Sequence, residues 1–192
     1  SKKLLSINID MNLDIDHLRK THKVAPYYHG LGMIRLIMPD CTLNFHGKLI
    51  PPEAHYVHSH RRNFTSTCLF GEVKNIYYNY ELSDKPTEYV LEEIDCAEGE
   101  EQRLVHKDIN LIFEKEVIQR PGDVVDHYWK DIHDFECLTE HACTKVLFGK
   151  IVDVSYIVRD KKEDYLCALS NKGEAQESWD IIERILQSQK KG

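Results

Sequence analysis

From Gly32 onward the chain is written in short blocks of apolar or alternating residues, each closed by a turn signal. Gly32 to Met38 and Cys41 to Phe45 are the first two, with Pro39-Asp40 between them and Ile50-Pro51-Pro52-Glu53 after them. Further blocks run Thr65 to Phe70, Val73 to Tyr80, Thr87 to Ile94, Leu111 to Gln119, Val124 to His127, Ile132 to Leu138, Cys143 to Phe148 and Ile151 to Val158. Blocks of this length, bounded by turn residues, predict strands, and many of them at short spacing predict an all-β sandwich or barrel. The period changes near the two ends. Asp14 to Lys20 predicts a short helix opened by an Asp cap. Glu174 to Lys190 carries Trp179, Ile182, Ile185 and Leu186 at helical spacing, and its lysine-rich end suits the helix dipole.

Composition narrows the class. The 192 residues, 42% hydrophobic and 30% charged, fit one domain with a full core, taken here as residues 1–192. A net charge of −7 argues against a phosphate-backbone binder, so no nucleic-acid partner is expected. No apolar run approaches a membrane span and no stretch has the layout of a signal peptide, so the expected setting is cytoplasmic, without a membrane partner. The six cysteines are scattered without a Cys-x-x-Cys and read as reduced thiols. The acidic run from Glu92 to Glu101 reads as a solvated hairpin loop.

The candidate chemistry begins at His55-Tyr56-Val57-His58-Ser59-His60. On a strand, His58 and His60 leave the same side and can reach one point, the geometry of a metal pair. A two-histidine site is weak, so a third ligand is expected downstream. His133 is the candidate, because it shares a strand face with Phe135 and Cys137, toward the core. His55 ranks as a supporting residue, and His127 and His141, close to turns, read as exposed. Asp126, Asp131 and Asp134 read as solvent-facing, with one of them able to orient an imidazole. Alternation from the histidine pair favours Arg62 as the inward one of two arginines, placed to hold a substrate carboxylate, with a surface arginine paired to the acidic run as the other reading. Tyr77, Tyr78 and Tyr80 read as core and sheet-face aromatics. The chain holds no Gly-rich phosphate loop, no Gly-x-Ser-x-Gly and no His-Glu-x-x-His, which disfavours nucleotide hydrolysis, α/β-hydrolase chemistry and zincin-type proteolysis.

These residues resemble the cupin superfamily. His58-x-His60 followed by a strand ending at Gly71 is similar to the first cupin motif, and Pro121-Gly122-Asp123 followed by His133 is similar to the second. The resemblance covers roughly Gly32 to Val158 and implies a double-stranded β-helix, a jelly-roll barrel, with the helices outside it. Cupins usually place a Glu four or five residues after the second His, where this chain has Phe64 and Thr65. The site then resembles the three-histidine, cysteine-dioxygenase-like branch, although Cys68 lies three or four residues beyond the position that branch uses for its thiol. The resemblance implies a divalent metal on His58, His60 and His133, Fe(II) first, with Zn, Ni or Mn as alternatives. It implies dioxygenation of a small molecule bearing an anionic group, with Arg62 as anchor. A redox-neutral lyase or isomerase and a non-enzymatic ligand-binding cupin are the other readings, and pairing of sheet edges would make a homodimer.

Overall fold

The strand-forming blocks assemble into two antiparallel layers in the computed structural model, which describes residues 11–29, 32–50, 57–95, 102–162 and 175–191. Helix α1 (Ile15–Thr21) opens on Asp14, whose carboxylate accepts from the backbone N–H groups of Asp16 and His17. Among the described residues twelve strands follow: β1 (Val24–His29), β2 (Met33–Ile37), β3 (Thr42–Gly47), β4 (Val57–His58), β5 (Arg62–Phe70), β6 (Val73–Leu82), β7 (Tyr89–Asp95), β8 (Gln102–Gln119), β9 (Val124–His127), β10 (Ile132–Cys137), β11 (His141–Ile151) and β12 (Val154–Asp160). Helix α2 (Ala175–Gln189) closes the described chain. One layer is an open sheet in the order β1-β2-β3-β11-β5-β9, and the other is a closed barrel in the order β10-β4-β12-β7-β8-β6. The β-barrel with helices at its N- and C-terminal ends is the class expected from the strand spacing. Among the described residues no helix is long and apolar enough to cross a membrane.

Strand β3 shows how one sheet serves two purposes. Leu43 and Phe45 pack into a cluster with Leu18 of α1 and Trp179, Ile182 and Ile185 of α2, alongside Ile34 and Leu36 of β2. The alternate residues Asn44 and His46 are equally buried but line a cavity on the other face. The helices therefore cover one side of the open sheet, each large apolar side chain contributing about 1.5–3 kcal/mol of burial. The other side is left to polar groups. A smaller apolar cluster around Leu91, Ile109, Ile132 and Val158 holds the barrel together.

Three elements differ from the sequence expectation. Strand β1 was not legible because Pro26 interrupts it. Proline lacks a ladder donor, and β1 tolerates it as an edge strand with a register irregularity between Val24 and Tyr27. Strand β8 starts at Gln102 rather than Leu111, since it pairs β7 along its first half and β6 along its second. The acidic run is not wholly a loop. Glu92 lies in β7 with a side chain 1% exposed, accepting from Arg159 Nε at 2.8 Å and lying 3.4 Å from His106 Nδ1. The tail of that run, residues 96–101, lies outside the described residues.

Candidate metal centre

His58 ends β4, bridging between His133 of β10 and Ile157 of β12. The chain then leaves the strand. Ser59 N donates to Tyr156 O at 2.8 Å, Tyr156 N donates back to Ser59 Oγ at 2.8 Å, and His60 N donates to Trp129 O at 3.1 Å. His60 thus sits past the strand end, pinned by backbone bonds rather than by strand alternation. Its imidazole nevertheless turns to the same point. Ligand nitrogens of His58, His60 and His133 all lie within 4.8 Å of one another. The His60 and His133 Nε2 atoms are 2.7 Å apart, and the three ring centroids are separated by 4.8–4.9 Å.

The second ring nitrogen of His133 fixes how the first is presented. Gln119 Nε2 donates to Ser66 O at 3.0 Å, which turns Gln119 Oε1 toward Asn75 Nδ2 at 3.1 Å. Asn75 must then offer its oxygen to His133 Nδ1, 3.2 Å away. An acceptor there requires the hydrogen on Nδ1 and leaves Nε2 with a bare lone pair toward His60 and His58. Asn75 and Gln119 were not singled out from sequence. The signal available was a polar residue at the buried parity of β6, between Val73 and Tyr77.

Around the three rings lies a cavity of about 60 Å³ between the two layers. The open sheet contributes Arg35, Asn44, His46, Phe64, Ser66, His127 and Thr144, and the barrel contributes Asn75 and Gln119 beside His58 and His133. Among the described residues no carboxylate lines it. Burial holds the His60 and His133 imidazoles well below the usual range, reinforced by neighbouring rings. Burial likewise lowers His127 to about 4 and His46 to about 3, the latter helped by Arg35. His60, His133, His127 and His46 are therefore neutral near pH 7, the protonation state that metal ligation needs.

Several expected residues take other places. His127 is buried, not exposed: its Nδ1 lies 3.0 Å from the Tyr77 hydroxyl and its ring 5.2 Å from that of His133. His141 is also buried, filling the space beside Gly47, where a Cβ would come within 2.4 Å of His141 Nδ1. Gly47 has a φ of +134°, so a side chain there would be strained as well. Asp134 accepts from the N–H of Phe135 and Asp131 from that of Tyr128, so Asn75 and not an aspartate orients the third imidazole. Arg62 packs its guanidinium 5.7 Å from the Phe148 ring centroid, and the arginine lining the cavity is Arg35. At the position usual for a glutamate, Phe64 faces the cavity while Thr65 donates its hydroxyl to Asp126 Oδ1 at 2.7 Å. His55 lies outside the described residues.

The donor set fits a divalent transition ion. Imidazole nitrogens each about 2.0–2.1 Å from one ion stand roughly 3 Å apart, close to the 2.7 Å separation of His60 and His133 Nε2, and the His58 ligand atom lies within 4.8 Å of both. Comparison with known proteins adds little. No family model matches the sequence, and no curated protein matches it. A chain in the crystal structure of Drosophila melanogaster CENP-C bound to CAL1 aligns over 77% of this chain and 98% of its own length, at 11% identity and a TM-score of 0.35.

Proposed function

We propose that this protein is a cupin-like, metal-dependent enzyme, an Fe(II) dioxygenase acting on a small molecule with an anionic group. The observation that carries the reading is the convergence of His58, His60 and His133 in a cavity that no carboxylate lines among the described residues, with one ring locked by Asn75. The order of the His-x-His pair, the Pro-Gly-Asp turn and the third histidine on antiparallel strands supports the cupin likeness. A ferrous ion on three neutral imidazoles would keep its full charge and supply Lewis acidity and redox chemistry toward dioxygen.

The chain's own residues prepare the rest. Arg35 donates Nε–H to Asn44 Oδ1 at 3.1 Å and has Tyr27 nearby. A half-buried guanidinium bonded to a neutral amide favours an incoming carboxylate. Arg35 rather than Arg62 is therefore our substrate anchor. Phe64, Phe135 and Phe148 give the cavity an apolar wall.

The test is anaerobic reconstitution of untagged protein with Fe(II), metal quantification, and an oxygen-uptake screen against small thiols and amino acids. One equivalent of iron and substrate-dependent uptake are expected. Full turnover with Zn(II) and no uptake would assign a redox-neutral lyase or isomerase, and failure to bind any transition metal would remove the enzyme reading.

A further inference from the structure

Phe64 is a partition between two unequal spaces. Its ring lies over His127 at 4.3 Å and 15°, meets His60 edge-on at 4.7 Å, and stands 5.9 Å from Phe148. On its inner side is the 60 Å³ cavity of the three histidines, room for only a small reacting group. On its outer side is a bowl of about 520 Å³, which falls in the range of small-molecule sites, about 300–1,000 Å³. Phe64, His127 and Phe148 line both spaces, so the bowl and the histidine cavity adjoin across one aromatic wall.

The bowl has a definite chemistry. Tyr128, Leu147 and Phe148 give it apolar walls and are respectively 50%, 46% and 38% exposed. Among the described residues its charged lining residues are Asp126 and Asp131, with no lysine or arginine beside them. Asp126 Oδ1 accepts from Thr65 and Asp131 Oδ2 from the Tyr128 amide, which leaves one oxygen of each carboxylate for a ligand. The tyrosine face is a further attraction for a cation.

We propose that the bowl binds the distal part of the substrate, an apolar body ending in an ammonium group, while a small head passes Phe64 toward the histidines. The substrate is thus a two-ended molecule, its size limited inside and its charge selected outside. This deepens the metal-enzyme reading, since the bowl matters to catalysis only if the three histidines are the reaction site.

The test uses metal-free protein and three probes of one shape: phenethylammonium, 2-phenylethanol and 3-phenylpropionate, titrated by calorimetry at low and high salt. Phenethylammonium should bind about fivefold more tightly than the alcohol, and the propionate should bind most weakly. Asp126→Asn and Asp131→Asn should each weaken the ammonium probe by about threefold, with Glu81→Gln, an equal charge change at the end of β6, leaving it unchanged. Phe148→Ala should weaken all three probes alike. The proposal is overturned if the propionate binds as well as the ammonium, if the aspartate variants match Glu81→Gln, or if folded protein shows no saturable binding. Because His133→Ala should lose metal yet keep the ammonium probe, loss of metal binding alone would leave the bowl standing. Stoichiometric metal with no probe binding would remove only the bowl.

Discussion

Asn75 Oδ1 lies 3.2 Å from His133 Nδ1, and the opposite nitrogen of that ring lies 2.7 Å from His60 Nε2. One amide therefore sets which nitrogen of His133 carries the proton. The amide is itself set by Gln119, and Gln119 by the backbone carbonyl of Ser66 on the facing sheet. The site's protonation pattern is written into the contact between the two layers.

Breaking that chain should weaken metal binding without removing a ligand. Asn75→Ala leaves His133 in place but frees its tautomer, and the expected loss of metal affinity is about 10–100-fold. Gln119 loses a partner at the same time, so stability should fall by roughly 1–3 kcal/mol. Competition titration against a chelator with a known affinity, together with urea unfolding, separates the two effects. Unchanged metal affinity would show that the amide does not orient the ring.

Removing a ligand should be more severe. His58→Ala or His133→Ala is expected to abolish stoichiometric metal binding, because two imidazoles make a weak site. His141→Ala should keep metal while losing stability, since His141 is buried beside Gly47 and away from the cavity lining. Metal content of the purified variants decides this. Full loading of His133→Ala would direct attention to His127, whose ring is 5.2 Å from that of His133.

The fold was legible where local pattern and tertiary role agree. The alternation of β3 and β6 and the helical spacing of Trp179, Ile182 and Ile185 each report which side is buried. It was not legible where burial serves the site. His127 and Glu92 look like surface residues because polar residues near turns usually are, yet one faces the cavity and the other pairs with Arg159 within the barrel. The convergence of His58 and His60 was anticipated from strand alternation, but His60 reaches its place through a bond to Trp129 O beyond the strand. Arg35 carried no signal at all. It sits in β2, remote in sequence from the histidine motif, and only sheet packing brings it to the cavity.

The parity of β5 yields a sharp contrast between neighbours. Phe64 faces the cavity and Thr65 faces Asp126. Phe64→Glu should retain metal but weaken the binding of small carboxylates or thiols to it, because the new carboxylate cancels charge and competes for a coordination position. Thr65→Glu should leave ligand affinity near that of wild type and cost a little stability by placing like charges together. Spectroscopic titration of the metal-loaded variants measures both. Unchanged ligand affinity in both variants would mean that neither side chain approaches the metal.

Acid should unfold the metal-free protein earlier than its carboxylates alone would allow. His46 and His127 are held neutral in the fold, at about 3 and about 4, chiefly by burial. In the unfolded chain each titrates near 6.5, so below that pH the unfolded state binds more protons and the native state loses stability as pH falls. The contribution is fully present above about pH 6.5 and is exhausted for His127 near pH 4 and for His46 near pH 3. Each imidazole should remove about 1.6 kcal/mol between pH 6.5 and 5, a sizeable part of a typical domain's 5–15 kcal/mol. His60 and His133 act in the same direction. Urea unfolding in chelator at a series of pH values gives the slope, and His46→Asn should flatten it by about 1.4 kcal/mol per pH unit. A slope unchanged by that substitution would mean that His46 takes up its proton in the native state, and that the cavity admits enough water to solvate it.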